Sequence, residues 1–153
     1  MPEFKYAFMG YDPLLHARAS GREVDVSPKA TREVCEAIKG KTLPDARSFL
    51  EDVIDLKRPV PFRRYKLKVG HKSQLQGFPA GRYPQKAAKQ VLNVLDNLEA
   101  NAEFKGLNTE TIKIIHAIAH RGRRILGFTP RAHGRSSPSF NTLTHIEVVA
   151  GEA

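Results

Sequence analysis

The spacing of apolar positions predicts three amphipathic helices. In VSPKATREVCEAIKG, Ser27 is suited to cap the helix, Pro28 to its first position and Gly40 to its stop. KTLPDARSFLEDVIDLKRP begins with the cap pair Thr42 and Asp45, and PQKAAKQVLNVLDNLEANAEFKG has the clearest helical period. The expected apolar faces are Ala30, Val34, Ala37 and Ile38, then Leu43, Ala46, Leu50, Val53 and Ile54, then Ala88, Val91, Leu92, Leu95, Leu98 and Ala102.

A different pattern, rich in β-branched residues, predicts strands. TIKIIHAIA and LTHIEVV are better strands than helices, and they flank RGRRILGFTPRAHGR. The simplest topology is an extended β-hairpin over about residues 111–149 with a very long tip. LLHARASGREV is a candidate third strand. The predicted fold is therefore a single α+β domain over 1–153, with three helices packed on one face of a small three-stranded antiparallel sheet.

The segment between the second and third helices has no sustained period. Residues 57–83 contain three prolines and three glycines. An irregular loop of this length is uncommon in a compact domain unless it is functional or disordered. We therefore expect a functional basic loop here.

The charges are strongly segregated along the chain, whose net charge is +9. Ten Lys or Arg and no acid lie between Asp55 and Asp96, and Lys113 with five arginines and no acid lie between Glu110 and Glu147. These two windows hold sixteen of the twenty-five cations and none of the sixteen acids. Segregation on this scale favours a polyanionic partner, nucleic acid first and an anionic membrane surface second.

The sequence predicts no enzyme, no metal and no cofactor. His116 and His120 lie on a predicted strand, where four residues span roughly 13 Å, too far for one ion. His16, His71 and His133 have no carboxylate at a recognisable spacing. Cys35 is the only cysteine, which excludes an internal disulfide; it reads as small buried filler in a helix. No apolar run reaches the length of a membrane span, and MPEFKYAFMG lacks a signal-peptide pattern, so we expect a cytoplasmic protein without membrane insertion.

The residues that are present favour recognition of a nucleic-acid backbone. Arginine grips phosphate with paired hydrogen bonds, and glycine lets the main chain approach closely. Four aromatic residues lie among the charges, Tyr65, Phe78, Tyr83 and Phe128. They are placed either to stack on unpaired bases or to pack beneath a loop.

The C-terminal part of the sequence resembles a known family. HRGRRILGFTPRAHGRSSPSFNTLTHIEVV is similar to the C-terminal hairpin of large-subunit ribosomal protein twenty-two, numbered seventeen in eukaryotes. The similarity continues through VSPKATREVCEAIKG, VPFRRYK, GRYPQKAAK and NAEFKGLNTETIKI. VPFRRYK and GRYP resemble an insertion of the archaeal and eukaryotic branch. The long C-terminal tail of many eukaryotic members is missing, which favours an archaeal-type member.

The resemblance implies a structural protein of the large ribosomal subunit that binds large-subunit ribosomal RNA and supports its assembly. Its body would lie at the exit of the peptide tunnel, beside neighbouring large-subunit proteins, and its hairpin would run inward to the nascent peptide. The tip would be about residues 126–137. The expected tunnel-lining residues are Leu126, Gly127, Phe128, Thr129, Pro130, Arg131, Ala132 and His133. The expected RNA-binding residues are Arg63, Arg64, Lys66, Lys68, His71, Lys72, Arg82, Tyr83, Arg121, Arg123, Arg124, Arg131, His133 and Arg135.

Two other interpretations use the same residues. A free nucleic-acid chaperone or DNA-compacting protein would present the same basic loops. A metal-independent RNA hydrolase would use His133 and an arginine.

Overall fold

The order of elements follows the predicted one. The computed structural model describes residues 5–152; residues 1–4 and 153, which the predicted domain includes, lie outside the described residues. The elements are β1 (His16–Val24), α1 (Pro28–Ile38), α2 (Leu43–Ile54), β2 (Val60–Pro61), β3 (Gly81–Arg82), α3 (Gln85–Phe104), β4 (Lys113–Pro130) and β5 (Ser136–Gly151). Strands β1, β5 and β4 form an antiparallel sheet with β5 in the centre, and β2 pairs with β3. The α+β class, the third strand and the hairpin are confirmed.

The ends of the helices obey the local signals with one exception. The Thr42 hydroxyl accepts the Asp45 N–H at 3.3 Å and so caps α2. Gly40 follows α1 with a φ of 77°, a left-handed conformation that favours glycine. Ser27 occupies the N-cap position of α1, but its side chain makes no capping hydrogen bond. Its carbonyl instead accepts the N–H and the hydroxyl of Thr31.

The core lies between the helices and one face of the three-stranded sheet. Leu95 and Leu98 of α3, Leu50 of α2 and Ile146 of β5 are fully buried. The predicted apolar faces are buried apart from four half-buried positions, Ala30, Ala37, Ile54 and Leu92. Val94 is also buried, although it lies outside the predicted stripe, because α3 packs against the sheet with a wider face.

Strands β4 and β5 are longer than the pattern predicted. Their ladder runs from the Lys113–Gly151 pair to the Pro130–Ser136 pair, so most of the arginine-rich segment is paired strand. Only residues 131–135 turn, and the Arg131 N–H donates to the Arg135 carbonyl at 2.8 Å. His133 and Gly134 have positive φ values of 58° and 68° in this turn. The tip expected at 126–137 is thus mostly strand.

A β-bulge in β4 lies where the hairpin leaves the body. Arg121 is opposite Thr144 and Arg124 is opposite Thr142, so three steps on β4 match two on β5. A Cβ at Gly122 would lie 2.9 Å from His145 Nε2 and 3.2 Å from the Leu143 carbonyl oxygen, so a larger residue here would displace the His145 ring. Each β4 residue beyond the bulge therefore faces the side opposite to the one it would face in an unbroken ladder.

The loop of residues 57–83 is held by one buried carboxylate. Glu33 of α1 is 1% exposed, and its oxygens accept the backbone N–H groups of Arg63, Arg64 and Tyr65 at 3.0 Å each. The short β2–β3 pair and the Phe62 N–H bond to the Ala80 carbonyl close the loop further along. The predicted irregular loop thus keeps an ordered backbone attached to a helix.

We expect Glu33→Gln to loosen this loop. The amide nitrogen of glutamine cannot accept hydrogen bonds, so at least one of the three N–H donors loses its partner, at about 1–3 kcal/mol of unfolding free energy. Urea unfolding measures the loss, and trypsin should cut more rapidly after Arg63 and Arg64. Glu36→Gln is the matched control, because Glu36 is exposed on the same helix and its ion pair among residues 5–152 is with exposed Lys39 at 3.4 Å. Equal trypsin cleavage of both variants would show that Glu33 does not hold the loop.

Candidate RNA interface

Two groups of exposed cations lie on different elements. The first, which we call the loop surface, belongs to the irregular segment after α2. Lys72 and Tyr83 are half-buried there, and the other six members are exposed. The loop surface consists of Arg63, Arg64, Lys66, Lys68, His71, Lys72, Arg82 and Tyr83.

Local bonds orient part of the loop surface. The Arg82 guanidinium donates to the Lys68 carbonyl at 3.4 Å, and the Tyr83 hydroxyl donates to Gln74 Oε1 at 2.9 Å. Lys72 Nζ lies 5.3 Å from the centre of the Tyr83 ring. These contacts orient the backbone and the Tyr83 ring, and none of them pairs a cation of the loop surface with a carboxylate.

The second group, the hairpin surface, follows β4 and the turn. Its members are all exposed: Arg121, Arg123, Arg124, Arg131, His133 and Arg135. Three lie at the base of the projecting arm and three at its end, where Arg131 Nε donates to Ser137 Oγ at 3.3 Å. The ten residues from Arg121 to Pro130 span roughly 33 Å of extended strand. The hairpin surface therefore presents charge at two places far apart.

The two groups share one electrostatic property. Within residues 5–152, none of their lysines or arginines has a side-chain ion pair with a carboxylate within 4.0 Å. Cations elsewhere are commonly paired, as Arg47 is with Asp96 and Glu99, and Lys86 with Asp25 at 2.9 Å. The segregation seen along the chain thus persists in space, and both surfaces have uncompensated positive charge.

The hairpin arm beyond the bulge has one apolar and one polar face. Leu126 is opposite Phe140 and Phe128 is opposite Pro138, so their side chains share a face, as do those of Pro130 and Ser136. Leu126, Phe128 and Phe140 are 69%, 72% and 55% exposed. The other face carries Ile125, Gly127, Thr129, Ser137, Ser139 and Asn141. The arm is an amphipathic ribbon whose apolar face has no cover within the described residues.

The predicted tunnel-lining residues are therefore divided among three places. Leu126, Phe128 and Pro130 lie on the apolar face, and Gly127 and Thr129 on the polar face. Arg131, Ala132 and His133 lie in the turn. A single wall of the arm cannot present all eight.

Asp25 connects the base of the hairpin to the start of α3. Its carboxylate accepts Asn141 Nδ2 at 2.8 Å and Lys86 Nζ at 2.9 Å. The Asn141 hydrogen bond, followed by Lys86, holds the pKa of this exposed carboxyl below its usual range.

The two cation groups themselves are formed by different elements, with the loop surface on the segment around β2 and β3 and the hairpin surface on β4 and its turn.

Sequence reasoning missed two residues of the interface. Glu33 accepts hydrogen bonds from the first residues of the loop surface. The sequence contains one sign of this role, because Glu33 is an acidic residue next to Val34 on the predicted apolar face of α1. Lys29 Nζ lies 5.6 Å from the centre of the Tyr65 ring, beside the loop surface. Lys29 lies outside the acid-free windows, so charge segregation did not single it out.

The residues considered for catalysis or metal binding include two that are buried or partly buried, Cys35 and His116. Cys35 is 1% exposed, and burial raises the pKa of its thiol to about 12, so the thiol is buried filler as predicted. Burial, followed by Lys39, lowers the pKa of His116. No cluster of three metal-ligating side chains occurs in the part of the chain that the structure describes. No helix between residues 5 and 152 combines the length and the apolar character of a membrane span.

Comparison with known proteins identifies the family. The family described as ribosomal protein L22p/L17e matches residues 19–151. The large ribosomal subunit protein uL22 of Cenarchaeum symbiosum is 52% identical over 153 residues, the full length of both chains. That of Archaeoglobus fulgidus is 51% identical over 150 residues, 98% of this chain and 97% of the relative. Both relatives are archaeal, in agreement with the archaeal-type insertion. The resemblance of the motifs is confirmed, and the chain belongs to the L22p/L17e family of ribosomal proteins, which are structural proteins and not enzymes.

Proposed function

We propose that the chain is a structural component of the large ribosomal subunit in the cytoplasm. It binds large-subunit ribosomal RNA through the loop surface and the hairpin surface, and it supports assembly of that RNA. The observation that carries this proposal is the uncompensated positive charge of both surfaces, in a chain whose relatives are named large ribosomal subunit proteins. Phosphates would supply the missing counter-charge, and displaced counterions would contribute to the affinity.

The hairpin also needs a partner for its conformation. A two-stranded ribbon that projects from its domain is marginally stable in water, and this one exposes Leu126, Phe128 and Phe140 on one face. Folded RNA would provide phosphates for the arginines and apolar base faces for these side chains. Neighbouring large-subunit proteins are the other surfaces available inside a subunit.

We further propose that the end of the hairpin lines the nascent-peptide tunnel. The arm is long enough to reach roughly 33 Å from the body. The arginines at the start of the arm are therefore far from the turn at its end. The turn at residues 131–135 would be nearest to the nascent peptide, because it is the part of the hairpin farthest from the body.

Shortening the hairpin tests this proposal. Replacing Leu126–Phe140 by Asn-Gly joins the paired residues Ile125 and Asn141 with a two-residue turn. We expect the shortened protein to fold, since the removed segment is exposed outside the core, and to enter large subunits through its body. Cryo-electron microscopy of these subunits should show a wider tunnel at the missing tip, and particular nascent chains should pass at altered rates.

Three outcomes would contradict the proposal. Unfolding of the shortened protein would place the hairpin in the core. An unchanged tunnel would remove the tip from its wall. Release of the full chain from large subunits at moderately high salt, without cross-links to their RNA, would instead favour a free nucleic-acid chaperone.

A further inference from the structure

A groove lies between the start of α1 and the loop surface. The N-terminal turn of α1 forms one wall, and residues 62–67 and 82–84 form the other. The groove encloses about 540 Å³, a volume within the range of small-molecule sites. It is thus large enough for a single nucleotide.

Three aromatic rings line this groove, together with the aliphatic side chains of Ala30, Leu67 and Pro84. Phe62 is the most buried of the three rings, at 4% exposure, while Tyr65 and Tyr83 are half-buried. Leu67 is 87% exposed at the rim. Half-buried ring faces beside an exposed leucine form a surface on which a flat apolar group can stack.

The charged residues of the groove are all cations. Lys29 Nζ lies 5.6 Å and Arg64 Cζ lies 5.9 Å from the centre of the Tyr65 ring. Arg82 Cζ lies 5.7 Å from the centre of the Phe62 ring. No carboxylate is among the described residues that line the groove. The site therefore combines aromatic faces with positive charge and has nothing to repel a phosphate.

Two other cavities differ from this groove in charge. The first, of about 650 Å³, is lined by Glu33 and Glu36 together with the cations Lys41, Arg58 and Arg63. The second includes Glu110 and Glu152. Carboxylates in these two cavities oppose binding of a phosphodiester, so the aromatic groove is the one of the three that suits RNA.

The groove is also held in its present shape. The Tyr65 N–H donates to Glu33 Oε1 at 3.0 Å, and the Tyr83 hydroxyl donates to Gln74 Oε1 at 2.9 Å. These bonds hold the two segments of the loop wall, one of them to Glu33 of α1 and the other to Gln74. Little ordering is then required when a ligand binds, which favours affinity.

We propose that this groove binds one unpaired nucleotide of ribosomal RNA. The base stacks on the Tyr65 ring above Phe62, and Lys29, Arg64 and Arg82 contact the phosphates on either side. In a duplex the bases are stacked inside the helix, so they cannot reach half-buried rings. An unpaired nucleotide is therefore the ligand that fits the groove. The inference rests on the proposed binding of ribosomal RNA and names the part of that RNA that the loop surface recognises.

Binding of two RNA probes to the full chain tests the inference. The probes are a fluorescent single-stranded octauridylate and a fluorescent 16-base-pair RNA duplex, both followed by anisotropy at one fixed salt concentration. We expect Tyr65→Leu to weaken octauridylate binding by roughly 5- to 100-fold, the loss of one base stack. Duplex binding should change less than about twofold, because phosphate contacts remain. Tyr65→Phe keeps the ring and should restore octauridylate binding.

A second measurement does not depend on the folding of a variant. Octauridylate that contains 4-thiouridine is photocross-linked to the unsubstituted chain, and the adduct is mapped by mass spectrometry. We expect adducts on the peptides that carry Phe62, Tyr65 or Tyr83. Adducts confined to the hairpin would overturn the inference, as would equal losses for both probes in Tyr65→Leu.

The two proposals fail in different ways. If the chain binds duplex RNA and enters large subunits, but Tyr65→Leu leaves its affinity for octauridylate unchanged, only the proposal for the groove is wrong. A chain that binds neither probe and leaves large subunits at moderate salt overturns RNA binding as well.

Discussion

Neutralising Arg63, Arg64, Lys72 and Arg82 together should lower RNA affinity on the order of a thousandfold at 0.1 M salt. These four side chains belong to the loop surface, and none has a carboxylate partner within the described residues. Each phosphate contact releases close to one counterion, so the slope of log affinity against log salt should fall by roughly three to four units. The affinities of the parent and of the variant with glutamine at all four positions should converge near 1 M salt.

Three exposed lysines provide the control for this prediction. Lys39, Lys57 and Lys86 already pair with carboxylates at 3.4, 2.8 and 2.9 Å. Changing all three to glutamine removes a similar formal charge, but we expect a smaller change of slope for each charge removed. A slope that stays the same in the fourfold variant would show that the loop surface faces solvent in the complex.

Replacing Leu95 by alanine should destabilise the domain by about 2–5 kcal/mol. Leu95 is fully buried in the middle of α3, where the helix packs on the sheet, so the substitution removes apolar contacts and leaves a cavity. Urea unfolding of the isolated protein measures the loss. Leu92→Ala is the matched control, since Leu92 is half-buried one turn earlier and should cost less. A midpoint that barely moves for Leu95→Ala would mean that α3 does not pack on the sheet through this face.

The helices could be predicted because their signals are local. Pro28, Thr42 and Gly40 act within one turn of the chain, and the apolar stripes repeat at the helical period. Thr42 caps α2 as expected, whereas the Ser27 side chain makes no capping hydrogen bond and only its carbonyl accepts bonds from Thr31. Burial of Leu95 followed from the same periodicity.

The full length of the hairpin could not be predicted, because its strands are defined by each other. Gly122, Gly127 and Pro130 interrupt the pattern of β4, and polar residues dominate the facing part of β5. The ladder forms because each residue has a partner across the ribbon, and that pairing is a long-range property. The bulge then reverses the alternation that would otherwise show which side chains share a face.

The sequence was sufficient to predict that the candidate interface is positively charged, but not how its side chains are arranged in space. Segregated cations with no acids nearby could be expected to stay exposed, because burying unpaired charge is costly. The role of Glu33 depends on backbone groups about thirty residues away, at Arg63, Arg64 and Tyr65. The division of the tip residues between two faces depends on the bulge, which no local pattern indicated.

The bulge also determines which changes of length the hairpin can accept. Removing Arg123 would restore a regular ladder between His116 and the turn, and it would move Leu126 and Phe128 to the side that now carries Thr129. Beyond the bulge, one extra residue in each strand would reverse the orientation of the tip, whereas two extra residues in each strand would restore it. The reach of this hairpin should therefore change in steps of roughly 7 Å, four residues at a time.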